Sequence, residues 1–330
     1  MLSGENRRPA WAWRSAAAAL VTAALAALSV SLAPAVRAAQ ARCQGKHATI
    51  VGTGNADRLV GTERADVIVA DAGDDLIDGR GGNDLVCAGA GEDIVLGGNG
   101  SDRIFGSEGS DLLLGGRGSD RLSGGGGLDL LLGEAGRDSI AGGSGLDLAT
   151  YLTSPSGVRV NLGAGTARGN GLDHLIGIEG AIGSNFHDLL IGGRGTNYFD
   201  GGPGNDVLQG GRGIDVAFFL TSKFRVRVDL HTGSARGSGL DRLVGIEAVV
   251  GSEHDDALTG NRRPNELIGG PGSDRIGGGG GGDLCFGEAF QSCESANYED
   301  PPAPNSSLPS SPERSGPPMP PSAPGPSPAP

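Results

Sequence analysis

Residues 97–123 read GGNGSDRIFGSEGSDLLLGGRGSDRLS, which is three copies of one nine-residue pattern with no gap between them. Each copy has glycine first, aspartate sixth and an apolar residue eighth. The aspartate recurs every nine residues at eleven consecutive positions: Asp57, Asp66, Asp75, Asp84, Asp93, Asp102, Asp111, Asp120, Asp129, Asp138 and Asp147. Eleven hits without a slip indicate a repeat architecture and not an ordinary globular domain.

Glycine also recurs at fixed distances from these aspartates. It lies two residues before every aspartate from Asp75 to Asp147, and usually five residues before it as well. Glycine adopts the positive φ angles that tight turns demand, and its bare backbone lets carbonyl groups approach an ion. Carboxylate and carbonyl oxygens are the ligands that Ca²⁺ prefers. The pattern predicts cation-binding turns with short strands between them.

The segments Gly97–Phe105 and Gly115–Ser123 resemble the G-G-x-G-x-D-x-U-x repeat of RTX, or hemolysin-type, calcium-binding proteins. The resemblance covers roughly residues 50–287. It implies an all-β fold, a parallel β-roll in which two repeats make one coil and several Ca²⁺ ions lie between successive turns. The metal-binding residues that we expect are Asp75, Asp84, Asp93, Asp102, Asp111, Asp120, Asp129, Asp138, Asp147, Asp206, Asp215, Asp274 and Asp283, with Gly82, Gly91, Gly100, Gly109, Gly118, Gly127, Gly136 and Gly145.

The second half of the chain contains a longer repeat. After Ala149 the nine-residue rhythm breaks, and two stretches then align at an offset of 68, with Val158–Leu162 matching Val226–Leu230. These blocks resemble the spacers between roll segments of larger RTX proteins, so we expect two or three roll segments joined by short β spacers. Asn197 and Asn265 replace the expected aspartate, so calcium sites are not expected there.

Stacked carboxylates suggest how the fold depends on metal. Coils of a roll lie about 4.8 Å apart, which places aspartates eighteen residues apart one above another. Their repulsion sums to the order of 10–30 kcal/mol before salt screening. Folded domains are typically stable by only about 5–15 kcal/mol. We therefore expect the metal-free array to be largely unfolded and Ca²⁺ to drive folding.

One outer face of the first roll is predicted to be apolar. With two repeats per coil, the outward positions of one sheet form what we name the aliphatic ladder: Ile94, Leu96, Leu112, Leu114, Leu130, Leu132 and Leu148. An apolar row of this length should be covered. We expect it to pack on the second half of the chain, with self-association through the same face as the alternative.

The two ends differ in composition from the repeats. Residues 1–40 begin with arginines, continue with an apolar stretch and end in small residues, which predicts a cleaved secretory signal; an uncleaved anchor is the alternative. Once the signal is cleaved, no membrane span is expected. Residues 299–330 contain most of the 19 prolines and are predicted to be a disordered tail. The predicted body thus comprises a cap with the first roll at 41–150, two 68-residue units at 151–287, and a closed end at 288–298.

The four cysteines fit an oxidising, extracellular setting. Cys43 and Cys87 bracket the first repeats, whereas Cys285 and Cys293 lie near the last. We favour these two pairings as disulfides, which would fasten both ends of the array. Free or metal-binding thiols are the alternative, but no C-x-x-C spacing supports them.

Composition and motifs limit the function. A net charge of −13 makes nucleic acid an unfavourable partner. No known catalytic motif stands out, and we expect no enzyme activity. The leading interpretation is a secreted calcium-binding protein with a structural or surface-interaction role. A toxin or adhesin component, or a polysaccharide-acting enzyme with its site on the roll surface, remain as alternatives.

Overall fold

The computed structural model describes residues 41–287 and 289–293, so the predicted signal and tail lie outside the described residues. The described chain is all-β. It contains 31 short strands and one turn of 3-10 helix at Leu162–Ala164. No helix among these residues has the length and hydropathy needed to cross a membrane.

Strands are numbered in chain order and form two long sheets and one small hairpin. Sheet 1 has twelve strands. In spatial order these are β4 (Arg58–Val60), β6 (Leu76–Asp78), β8 (Ile94–Asn99), β10 (Leu112–Gly118), β12 (Leu130–Gly136), β14 (Leu148–Thr150), β18 (Gly180–Ile182), β20 (Tyr198–Asp200), β22 (Val216–Phe218), β26 (Ala248–Val250), β28 (Glu266–Ile268) and β30 (Leu284–Phe286).

Sheet 2 has seventeen strands, ordered here by their pairings. They are β3 (Ile50–Val51), β5 (Val67–Ala72), β7 (Leu85–Ala90), β9 (Arg103–Glu108), β11 (Arg121–Gly127), β13 (Ser139–Gly145), β17 (Leu172–Ile176), β16 (Thr166–Arg168), β15 (Arg159–Asn161), β19 (Leu189–Ile191), β21 (Val207–Gln209), β25 (Leu240–Val244), β24 (Ser234–Arg236), β23 (Arg227–Asp229), β27 (Ala257–Thr259), β29 (Arg275–Gly277) and β31 (Ala289–Gln291). The hairpin pairs β1 (Arg42–Cys43) with β2 (Lys46–His47).

Successive strands of the first roll alternate between the two sheets, and each strand from β3 to β12 pairs in parallel with the strand eighteen residues later. Leu113 of β10, for example, lies beside Leu131 of β12. Two nine-residue repeats therefore make one coil, and the predicted parallel β-roll is confirmed. The register follows from the repeat length, because only an eighteen-residue step brings identical repeat positions side by side.

The core is a single aliphatic layer between the sheets. The eighth residue of each repeat points inward and is fully buried, as at Val95 and Leu113 in sheet 1 and Ile104 and Ile140 in sheet 2. Phe199 is the largest fully buried side chain. A core this thin provides little apolar burial per residue, so the roll depends heavily on its turns.

The two spacers are inserted into the sheets and do not separate roll segments. At each spacer sheet 1 gains one strand, with β18 lying directly beside β14. Sheet 2 gains a three-stranded antiparallel insert, β17–β16–β15 in the first unit and β25–β24–β23 in the second. Parallel pairing resumes on both sides, so the sheets run continuously from the first roll through both 68-residue units.

The expected packing of the aliphatic ladder on the second half of the chain is wrong for the described residues. The second half extends sheet 1 from its end and does not fold back over its face. The ladder residues instead flank one another across neighbouring strands, Leu112 beside Leu130 and Leu130 beside Leu148. Leu130 and Leu132 in the middle are buried, whereas Leu96 is 37% exposed.

Both predicted disulfides are confirmed. Cys43–Cys87 joins the N-terminal hairpin to strand β7, with the two Cα atoms 5.7 Å apart. Cys285–Cys293 joins the last strand of sheet 1 to the residue two positions beyond β31. A covalent link therefore fastens each end of the described solenoid, where a coil has a neighbour on one side only.

Candidate metal-binding loops

The thirteen predicted aspartates all occupy the same place, the last turn residue before a strand, and none is more than 2% exposed. One oxygen of each carboxylate belongs to a ladder of hydrogen bonds. The backbone N–H of Asp84 donates to Oδ1 of Asp102 at 2.8 Å, and the N–H of Asp102 donates to Oδ1 of Asp120 at 2.8 Å. Each carboxylate thus accepts a bond from the residue at the same position one coil earlier, which is an aspartate except for Asn197 before Asp215 and Asn265 before Asp283.

The second oxygen of these carboxylates has no such role. In twelve of the thirteen aspartates, Oδ2 is buried and has no hydrogen-bond partner within the described part of the chain. These are Asp75, Asp84, Asp93, Asp102, Asp111, Asp120, Asp129, Asp138, Asp147, Asp206, Asp215 and Asp283. Asp274 shares their burial and its N–H-bonded Oδ1. Burying an unsatisfied carboxylate oxygen is costly unless a cation neutralises it.

The backbone before these aspartates has one recurring shape, which we name the open loop. In all thirteen cases the residues four and two positions before the aspartate have positive φ, as for Gly98 at 103° and Gly100 at 143° before Asp102. Four of the residues at the earlier position are not glycine: Asp71, Arg80, Ser107 and Glu134. The positive φ is therefore imposed by the loop and does not require glycine.

The predicted turn glycines permit close stacking of the coils. Gly82, Gly91, Gly100, Gly109, Gly118, Gly127, Gly136 and Gly145 all have positive φ. A Cβ on any of them would overlap the backbone of the turn one coil earlier; on Gly100 it would meet the carbonyl oxygen of Gly82. Neighbouring turns therefore lie backbone against backbone, which no residue with a side chain allows.

A glycine five residues before the aspartate leaves space in front of Oδ2. A Cβ on Gly97 would lie 2.7 Å from Oδ2 of Asp102 and 2.5 Å from the carbonyl oxygen of Gly115. A carboxylate oxygen and a peptide oxygen of the next coil therefore approach the same point, which suits a hard cation. Within the described residues no three His, Cys, Asp or Glu side chains converge on one point, so a cation here would depend on backbone carbonyls.

Six repeats have a different turn, which we name the closed loop. Here the residue four positions before the acidic or amide side chain lacks positive φ, and its N–H points inward. The N–H of Thr62 donates to Oδ2 of Asp66 at 2.7 Å, and its hydroxyl donates at 2.9 Å. Ser184 donates in the same way to both oxygens of Asp188. A closed loop satisfies its carboxylate without metal.

The remaining closed loops follow the same rule. Asp57 accepts bonds from Thr53, and Asp256 accepts them from Ser252. Asn197 accepts the Gly193 N–H at 2.7 Å through Oδ1, and its Nδ2 donates to the Glu179 carbonyl at 3.1 Å. Asn265 does the same with Asn261 and Glu247. The Nδ2 group of the asparagine thus donates a hydrogen bond at the position where an open-loop aspartate has an Oδ2 without a partner.

Burial raises the pKa of the nine open-loop aspartates from Asp75 to Asp147, and of Asp206 and Asp215. Desolvation is the largest cause, and repulsion from aspartates on neighbouring coils adds to it. The pKa rises to about 7 for Asp75 and Asp111 and to about 6 for Asp84, Asp93 and Asp120. The predicted charge repulsion between coils is present, but the loss of hydration raises these pKa values more.

Four acidic residues that the repeat pattern did not predict extend the two ladders through the spacers. Asp173 accepts the N–H of Asp138 at 3.2 Å, and Glu179 accepts the N–H of Asp147 at 3.1 Å. Asp241 and Glu247 do the same for Asp206 and Asp215. Their sequence signal is the pair of motifs G-L-D and G-I-E, which recur at the 68-residue offset but break the nine-residue count.

Comparison with known families agrees with this geometry. A family model described as the RTX calcium-binding nonapeptide repeat matches residues 51–86, 88–122, 114–149, 182–217 and 250–285, together just over half of the chain. The chain belongs to the RTX calcium-binding repeat family. The matched RTX segments leave out 150–181 and 218–249, where the two spacers lie. No curated protein matches the chain.

Proposed function

We propose that this RTX protein is an extracellular calcium-binding protein that folds when ions bind its open loops, and that its role is structural or interactive and not catalytic. The observation that carries the proposal is the row of buried Oδ2 atoms without a hydrogen-bond partner within the described residues. They belong to aspartates that the turn-glycine pattern selects, whereas the closed-loop carboxylates are satisfied by their own turns.

In this proposal the thirteen open-loop aspartates hold Ca²⁺ through Oδ2, and the turn glycines from Gly82 to Gly145 contribute carbonyl oxygens. The bound ion supplies the positive charge that buried carboxylates otherwise lack. The chain's own contribution is to place a bare carboxylate oxygen beside backbone carbonyls, to exclude water, and to keep the closed-loop repeats independent of the ion.

Extracellular location is part of the same proposal. Calcium modules that act outside cells typically bind at about 10⁻⁴–10⁻³ M, so folding would follow export. The apolar segment within residues 1–40 and the two disulfides support this route. Because metal binding and folding are one equilibrium, the free energy of ion binding stabilises the fold directly.

A calcium titration of the mature chain tests the proposal. We expect the β-sheet circular dichroism signal to appear cooperatively with added Ca²⁺ and to vanish in excess EGTA, and native mass spectrometry to show several bound ions. Mg²⁺ at equal concentration is the control, because its smaller size and strict octahedral geometry suit this set of ligands poorly. Equal order and equal heat resistance in EGTA and in millimolar Ca²⁺ would refute the proposal.

The interaction role rests on the aliphatic ladder of sheet 1. Since the second half of the chain does not cover it, we propose that a second copy does, face to face. Sheets pack about 10 Å apart through interdigitating apolar rows, and two identical ladders have the same strand spacing. Sedimentation should show a calcium-dependent dimer that the double variant Leu96→Lys with Leu112→Lys reduces to a monomer, because Leu96 is 37% exposed in the single chain. A monomeric parent protein would contradict this part of the proposal.

A further inference from the structure

The outer face of sheet 2 carries a groove of about 890 Å³ in the second 68-residue unit. Its walls include Phe224, Arg225, Arg227, Arg236 and Arg275. All five side chains are exposed. Within the described residues, none of the four guanidinium groups forms an ion pair. A concentration of unpaired arginines is unexpected on a chain whose net charge is −13.

Strand register places three of these arginines in one row. Arg236 of β24 lies directly opposite Arg227 of β23, and Arg275 follows two strands further on, beyond Ala257. Three strand spacings make the row about 14 Å long. Like charges directly opposite each other destabilise a sheet. An anion bound between Arg236 and Arg227 would convert this repulsion into attraction.

The acidic groups of the groove do not neutralise the row. Asp256 and Asp274 lie buried in its wall and belong to the ladder of turn aspartates. Asp255 is the exposed carboxylate among the lining residues, and its Oδ1 accepts the Ser273 N–H at 2.9 Å. Among the lining residues that the structure describes, the groove therefore presents four guanidinium groups and one exposed carboxylate to a ligand.

Phe224 adds an apolar surface beside the charges, because its side chain is 65% exposed. An exposed aromatic ring offers a flat apolar face, and arginine offers two parallel N–H donors for a carboxylate or sulfate group. A ligand that matches both needs flat apolar faces alternating with anionic groups. A chain of acidic sugar rings has this chemistry.

The first 68-residue unit provides an internal comparison. The paired arginines are kept there, with Arg159 opposite Arg168 in the same hairpin. At the 68-residue offset, however, Ser156, Gly157 and Val207 stand in place of Phe224, Arg225 and Arg275. The arginine pair is thus a common feature of the hairpin, whereas the additional two arginines and the phenylalanine are found in the second unit alone.

We propose that the groove of the second unit binds an acidic polysaccharide through its carboxylate or sulfate groups. Nucleic acid binding requires many neutralised phosphates along an extended basic surface, and this row is short. The inference rests on the calcium-loaded fold, because the groove wall includes the turn of Asp274. It goes beyond the proposed function by assigning the chemical class of the partner.

Isothermal titration of the full mature chain in millimolar Ca²⁺ tests the inference, with oligogalacturonate as the carboxylated probe, dextran sulfate oligomers as the sulfated probe and neutral dextran oligomers as the control. We expect one or both acidic probes to bind and neutral dextran not to bind. Arg227→Ala with Arg275→Ala should weaken binding at least tenfold. The matched pair Arg159→Ala with Arg168→Ala should change it less than twofold.

Phe224→Ser separates a shaped site from plain charge attraction, because it retains every arginine and copies the residue of the first unit. The substitution should weaken oligosaccharide binding about three- to tenfold. The dependence of the affinity on salt concentration should stay unchanged, because no charge is removed. The inference would be overturned if neither acidic probe bound, or if the two arginine double variants weakened binding equally. Tighter binding of a single-stranded oligonucleotide or of anionic lipid vesicles would also overturn it. Circular dichroism and the calcium count of each variant distinguish this failure from failure of calcium-driven folding.

Discussion

The first roll and the two 68-residue units share the same coil and core, but differ in their turns. Between Asp75 and Asp147 nine successive loops are open. In each unit two closed loops precede two open ones, as at Asp188 and Asn197 before Asp206 and Asp215. The difference lies in the direction of one backbone N–H, four residues before the acidic side chain. Aspartate alone therefore does not leave an Oδ2 without a hydrogen-bond partner; the conformation of the backbone before it does.

Calcium removal should separate the two regions most strongly. In EGTA we expect backbone amides of the first roll from Ile94 to Gly145 to lose nearly all protection from hydrogen exchange. The closed turns at Thr53–Asp57, Thr62–Asp66 and Ser184–Asp188 should retain measurable protection, because their carboxylates are already satisfied. Peptide-resolved exchange by mass spectrometry measures both. Uniform loss across the described residues would show that the loop types do not differ in calcium dependence.

Exchanging aspartate and asparagine should have opposite effects in the two loop types. Asp120→Asn removes a carboxylate whose pKa burial raises to about 6, so the metal-free protein should gain about 2–3 kcal/mol while one calcium ion is lost. Asn197→Asp places a carboxylate oxygen against the Glu179 carbonyl and should cost about 2–4 kcal/mol.

Denaturation in EGTA and native mass spectrometry measure the two quantities. To keep the metal-free state measurable, both variants can be compared in a stabilising osmolyte. The same sign of change in both variants would contradict the assignment of open and closed loops.

Acid should partly replace calcium in the open loops. The folded-state pKa is about 7 for Asp75, Asp111, Asp138 and Asp147, above the ordinary value of 3.8. Protonation therefore favours the metal-free fold, and this stability is lost as pH rises from about 4 through 7, by up to about 1.4 kcal/mol per unit for each group.

We expect more ordered structure in EGTA at pH 5 than at pH 8, and a calcium affinity that rises over the same interval. Circular dichroism at both pH values, with and without Ca²⁺, records the crossover. A metal-free protein that becomes more ordered toward pH 8 would exclude burial of the ionised carboxylates as the cause of its instability.

The smallest expected effect compares two serines at the same repeat position. Ser184→Gly removes a hydroxyl that donates to Asp188 at 2.8 Å and should cost about 1–2 kcal/mol. Ser107 has a φ of 97° in an open loop, so Ser107→Gly relieves strain and should gain up to about 1 kcal/mol. Thermal unfolding in saturating Ca²⁺ detects both. Destabilisation by the two substitutions alike would show that this position has one role throughout.

The sequence predicted most of the first roll because its period leaves little freedom. An eighteen-residue step fixes the strand register, the inward aliphatic row from Ile77 to Ile140 and the stacking of the aspartates. The disulfide pairings followed from the position of the cysteines at the ends. The metal ligation of the open-loop residues stays a prediction, although their burial and bare Oδ2 atoms support it.

The direction of a single peptide was only indirectly visible in the pattern. Thr62 folds inward before Asp66 whereas Arg80 adopts positive φ before Asp84, and the sequence signal is Arg64 in place of the turn glycine Gly82. The spacers were recognised as strands, but their pairing into the sheets depends on antiparallel hairpins that interrupt the period. The predicted packing of the second half of the chain on the aliphatic ladder failed for the same reason. A spacer that adds strands to a sheet extends that sheet and does not cover its face.

The bond from each aspartate N–H to the carboxylate one coil later gives the solenoid a polarity. In this carboxylate ladder every bond runs from the earlier turn to the later one, although other backbone N–H groups, such as that of Ser101, donate to the turn before them. Because the N–H of each aspartate in the ladder needs the carboxylate of the next coil, we expect this ladder to form from the last described coil, the one fastened by Cys285–Cys293, toward the first. Loss of one turn should therefore leave the aspartate N–H of the preceding coil without its carboxylate acceptor.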